Sequence, residues 1–123
     1  MSTPFDHHNL VVLSGELSAE PRRRTLPSGS QLVEFDVTTR PPAGTASVPV
    51  SWFDPPAGAD ALAAGTTVVV VGTVRRRFFR AGGVTQSRTE VLAHRVEPAS
   101  RAVKSARLFA AAVAALDGNA AVD

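Results

Sequence analysis

The chain has 123 residues, enough for one sound core and too few for two. Lys and Arg number 13 against 11 Asp and Glu, yet 12 of the 13 cations are arginine and all lie between Arg22 and Arg107, so the net charge understates the local field. The absence of cysteine excludes disulfides and thiolate metal sites. No apolar run is long enough to span a bilayer. With no basic start and apolar stretch in the first twenty residues, a soluble cytoplasmic protein is expected.

Residues 1–8 are polar and turn-forming and read as a loose N-terminal arm. His7 and His8 are adjacent, which does not suit a shared metal, and no third ligand lies near them in sequence. Residues 9–17, rich in β-branched and apolar side chains, read as a strand that bends at Gly15 to serve two sheets. Pro21 and Pro27-Ser28-Gly29 mark turns, with Arg22-Arg23-Arg24 between them in a loop or bent strand. Residues 31–40 alternate as a half-buried strand, with Val33, Phe35 and Val37 on one side and Glu34 and Asp36 on the other. Those two carboxylates have no histidine, lysine or phosphate loop to complete a catalytic site.

A third extended run ends at Val50-Ser51-Trp52-Phe53, and Trp52 reads as either a core ring or a stacking platform. Pro55-Pro56 opens an alanine-rich stretch that ends at Gly65, predicted as a short helix. Residues 66–80 and 84–98 form two long β-rich segments joined at Ala81-Gly82-Gly83, which predicts a protruding hairpin. His94 alternates with apolar neighbours and reads as a residue of the sheet or of an interface. After Pro98 the period becomes helical, and residues 99–117 are predicted as a terminal helix. Its expected packing line is Val103, Phe109, Val113 and Leu116. Residues 118–123 remain as a short tail.

The chemistry concentrates on the hairpin. Six arginines fall between residues 75 and 95, opposed there only by Glu90. Strand alternation puts Arg75, Arg77 and Phe79 on one face and Arg76, Phe78 and Arg80 on the other, so each face carries guanidinium beside a ring. Single-stranded nucleic acid suits that pairing, because guanidinium neutralises phosphate while a ring stacks a base. The competing reading is a solvated hairpin whose rings pack on the sheet or on a second subunit.

Taken in order, several motifs resemble the bacterial single-stranded DNA-binding protein family. They are Asn9 to Leu17, Glu20-Pro21-Arg22, Arg24 to Gly29, Val33 to Thr39, Val50-Ser51-Trp52, Ala61 to Gly65, Val70 to Arg75, and Glu90-Val91 with Arg95-Val96-Glu97. The resemblance implies an all-β, five-stranded Greek-key OB-fold barrel over residues 9–98, with the short helix between the third and fourth strands. It implies sequence-independent binding of single-stranded DNA in replication, recombination or repair, near the nucleoid, and a homo-oligomer of two or four copies. It matches Phe79 and Trp52 to aromatic stacking positions and Arg75 and Arg77 to basic ones. With the arginine pattern, the expected DNA-contacting set is Arg22, Arg23, Arg24, Arg40, Trp52, Arg75, Arg77, Phe79, Arg80 and Arg88.

No catalytic residue, metal or cofactor is expected. Three departures from the family bear on function. Thr25 stands where an aromatic is common, and the 41–47 loop has no ring, which leaves fewer stacking platforms. The chain also ends at Asn119 to Asp123 without the acidic, phenylalanine-ended tip, so recruitment of repair enzymes in the family's usual way is not expected. The alternative is a related barrel that works as a protein-interaction or assembly module with weak or no DNA binding.

Overall fold

The computed structural model describes residues 7–116, and the 118–123 tail and most of the 1–8 arm lie outside them. Six strands and one helix follow in order: β1 (Val11–Leu17), β2 (Arg22–Thr25), β3 (Gln31–Thr39), β4 (Ala46–Phe53), β5 (Thr67–Ala81), β6 (Val84–Pro98) and α1 (Ala102–Leu116). The protein is all-β apart from this terminal helix. The sheet runs β1-β5-β6-β4-β3-β2, and β1 also pairs with β3. Pairings are antiparallel except β4 with β6, which meet in parallel at Val50–Val91 and Ser51–Leu92. Followed from β1 through β5, β6, β4 and β3, the pairing returns to β1.

That return depends on Gly15. β1 pairs with β5 from Val11 to Glu16 and with β3 at Glu16 and Leu17, so the strand changes partner within two residues. A Cβ at Gly15 would collide with the Thr38 carbonyl oxygen, and only glycine lets the two backbones come this close. The main core lies inside the circuit, with Val33, Val37, Val50, Trp52, Val68 and Val70 among its buried members.

The run Val68 to Val71 lacks alternation because both of its sides are covered. Val68 and Val70 face the core, while Val69 and Val71 pack against Leu108 and Ala112 of α1. The long hairpin turns at Gly82 and Gly83, whose φ values of 59° and 79° need residues tolerant of left-handed backbone. No helix among the described residues is long and apolar enough to cross a membrane.

Three expectations are corrected. The described residues form six strands, one more than the five expected, because Arg22–Thr25 closes a turn at Leu26 to Ser30 and pairs with Gln31 to Glu34. The helix expected over the alanine-rich stretch is only a 3₁₀ turn at Ala59–Ala61. Left-handed Gly58 before the turn and extended Leu62 after it leave room for no more. The third correction concerns α1. Its buried side is Ser105, Leu108 and Ala112, whereas the expected packing line stands in solvent, from Val103 at 66% exposed to Leu116 at 38%.

Candidate nucleic-acid interface

The register of β5 against β6 decides which arginines meet. Arg75 lies opposite Glu90, Arg77 opposite Arg88, and Phe79 opposite Gln86, so all six side chains share one face of the hairpin. On β4 the same alternation sends Trp52 inward and Phe53 outward, with Phe53 opposite Leu32 of β3. The result is a row of alternating groups in which the Arg75 guanidinium sits 5.2 Å from the Phe53 ring centroid and that of Arg77 sits 5.3 Å from the Phe79 ring. Glu90 lies between the two cations. Its carboxylate accepts from Arg75 Nε at 2.9 Å and Nη2 at 2.8 Å, and it pairs with Arg77 Nε at 3.3 Å.

Glu90 is 1% exposed, and the Ser51 hydroxyl donates to its other oxygen at 3.0 Å. Burial pushes this carboxyl up, but the hydrogen bonds from Arg75 and Ser51 and the charges of Arg77 and Arg75 outweigh it. The net effect holds Glu90 below the usual carboxylate range. The acid therefore stays ionised and fixes both guanidinium planes. Beside this row runs a groove of about 180 Å³ lined by Arg24, Leu32, Ser51, Phe53, Arg75 and Arg77, among others. Arg24 reaches it from β2, paired with Glu34 at 3.0 Å.

The expected contact residues divide into three groups. Arg24, Arg75, Arg77 and Phe79 belong to the groove or its row, and Arg88 shares that face opposite Arg77 with no carboxylate partner among the described residues. Arg80 belongs to the other face of the hairpin, where it donates to the Gly83 carbonyl at 2.7 Å beside solvent-exposed Arg76 and Phe78. Phe78 is 68% exposed, whereas Phe79 is half-buried beside Arg77. Arg22, exposed on β2, has no ion-pair partner among the described residues.

Three members do not join the groove. Arg23 alternates to the opposite side of β2 and pairs with Asp60 at 3.2 Å, where its hydrogen bond holds that carboxyl low. Arg40 lies beyond β3 and pairs with Glu16 at 3.1 Å. Trp52, counted among the stacking rings, is a core residue at 8% exposed, packed in the main cluster, because inward-facing positions on β4 fill the circuit. Its remaining edge lines a second cleft of about 550 Å³, which opens where β4 and β6 part beyond Ser51 and Leu92.

The groove ring that sequence reasoning missed is Phe53. The signal was the Trp52-Phe53 pair itself, since neighbours on a strand face opposite ways and one of the two had to point outward. Among the described residues no group of three His, Cys, Asp or Glu is placed to hold a metal. Comparison with protein-family models and with curated proteins finds no match to this chain.

Proposed function

We propose that this protein binds single-stranded DNA with little sequence preference and protects it during replication, recombination or repair, without catalysis. The observation that carries the reading is the row Phe53, Arg75, Glu90, Arg77, Phe79, in which rings and guanidinium groups alternate along a groove. Bases can stack on rings at roughly 1–3 kcal/mol each while guanidinium groups take the phosphates. The like-charged Arg77 and Arg88, directly opposite each other, are relieved by an arriving anion. We further infer that the closed pairing circuit is a five-stranded Greek-key barrel of the oligonucleotide-binding kind, with β2 as an added strand. The ordered motifs support kinship with the bacterial single-stranded DNA-binding proteins, and that kinship implies a cytoplasmic, nucleoid-associated homo-oligomer of two or four copies.

One observation favours the second reading, an interaction module with weak or no DNA binding. Arg24, Arg75 and Arg77 are already paired with carboxylates, and Arg75 and Arg77 lie against the rings that a base needs. Titration of a labelled oligonucleotide over a salt series separates the two. The proposed function expects affinity that falls as salt rises and weaker binding of duplex of equal length. Absence of binding at low salt overturns it in favour of the module, and equal affinity for duplex removes the ring contacts.

A further inference from the structure

Most of the larger apolar side chains of α1 point away from the molecule that carries them. Toward the sheet it presents Ser105, Leu108 and Ala112, with the Ser105 hydroxyl donating to the Pro98 carbonyl at 3.0 Å. Toward solvent it presents Val103 at 66%, Phe109 at 51%, Val113 at 48% and Leu116 at 38% exposed. At 100° per residue these four and the exposed Ala106 and Ala110 form one stripe along the whole helix. Packing on the sheet leaves this stripe uncovered, and burying one such side chain fully gains roughly 1.5–3 kcal/mol.

We propose that the stripe binds the same stripe of a second copy, in an antiparallel helix pair about a two-fold axis. Such an interface needs a self-complementary surface. Crossed between Phe109 and Ala110, the stripe brings Phe109 onto the small Ala110 of the other copy, Ala106 onto Val113, and Val103 onto Leu116. Each alanine receives a larger side chain, so ridges meet gaps without overpacking. Charge selects the direction. The helix carries Lys104 and Arg107 in its first half and no acid, so a parallel pair would juxtapose like charges. The antiparallel pair sets that cationic half against the uncharged half of its partner. The stripe supplies about half of the ~800 Å² that a standard interface takes from each partner, so the dimer is weak and depends on concentration.

This pairing deepens the homo-oligomer inferred above, and because its test needs no DNA, a failure leaves the DNA-binding reading standing. The molar mass of the full chain is followed by light scattering from about 1 µM to about 500 µM. A rise toward twice the monomer mass is expected. Val113→Glu and Ala110→Glu should each return the mass to monomer while circular dichroism and the thermal midpoint stay unchanged, since both positions lie off the sheet-facing side. A wild type that stays monomeric overturns the proposal, as does a Val113→Glu variant that keeps its dimer. A monomeric chain whose helix instead inserts into anionic phospholipid vesicles also overturns it, because the stripe would then belong to a membrane surface. The orientation is read with Ala106→Cys and Val113→Cys in a chain that has no cysteine of its own. Mild oxidation of the mixed variants should form the 106–113 disulfide far faster than either variant links to itself. Efficient self-linking of Ala106→Cys would overturn the antiparallel pair.

Discussion

On one face of the β5–β6 hairpin, Arg75 and Arg77 are half-buried, held by Glu90 and set against the rings of Phe53 and Phe79. On the other, Arg76, Phe78 and Arg80 stand in solvent, and the only tie among the described residues is that of Arg80 to the Gly83 carbonyl. Residue types are nearly the same on both faces and their physical states are not. The first face is preorganised: its cations are already neutralised in part and its rings have fixed neighbours, so it favours geometry over raw attraction. The second keeps its full charge available for counterion release. A basic composition therefore says little about attraction until each guanidinium is assigned a partner.

The largest expected effect comes from emptying one face at a time. Arg75→Ala with Arg77→Ala leaves Glu90 buried with Ser51 alone, and breaking such a pair destabilises by about 3–5 kcal/mol. Arg76→Ala with Arg80→Ala should stay within about 0.5 kcal/mol, as surface changes do. Urea unfolding measures both, and equal losses would erase the distinction between the faces. The second pair should nevertheless lower the salt dependence of DNA binding, by about 0.7 in slope for each phosphate contact removed.

A comparable contrast holds on β4. Trp52→Ala should lose about 3–5 kcal/mol of stability by opening a core cavity. Phe53→Ala should leave unfolding nearly unchanged and weaken oligonucleotide binding by about 1–3 kcal/mol. Intrinsic fluorescence sharpens this comparison, because the sole tryptophan is buried. Strong quenching by oligonucleotide would put the ring back among the contacts.

Glu90→Gln should cost about 1.5–3 kcal/mol through its lost charged hydrogen bonds. At the same time it frees Arg75 and Arg77, so binding at low salt should tighten and become more salt-dependent. Unchanged affinity in this variant would mean that the groove arginines do not meet the DNA. The smallest effect is on pH. Because the folded protein holds Glu90 below its ordinary range, the contribution of this group to stability is complete above the unfolded value, about 4.3. It is lost as the pH falls through the lower folded value. Thermal midpoints from pH 3 to 6, compared between wild type and Glu90→Gln, should show a smaller acid loss in the variant.

Element positions were largely legible in the chain. Runs of β-branched residues and the glycines at 82 and 83 located the hairpin, and the change of period after Pro98 located the helix. β2 was legible only as a loop or bent strand, because Arg22 to Thr25 has no apolar side that would mark a strand and forms only by pairing with β3. The alanine-rich stretch had helical composition over too short a span between Pro56 and Gly65. The candidate groove was half legible. Arg75, Arg77 and Phe79 followed from alternation, whereas Glu90 read as one acid among six arginines and gave no sign that it is buried beneath two of them.

What the sequence by itself determined is local. Periods of two and of about 3.6, and the turn chemistry between them, say which residues share a face, since those repeats are properties of the backbone. Which of two faces is covered was decided only by tertiary structure, because that depends on partners far away in the chain. Phe53 points outward because its neighbour Trp52 fills the circuit closed by β1 and β3. Glu90 is buried because β4 brings Ser51 alongside it. The helix turned its less apolar side to the sheet because Val69 and Val71, with Leu10 and Val12 beside them, form the surface that Leu108 and Ala112 fit, leaving Val103, Phe109, Val113 and Leu116 outward.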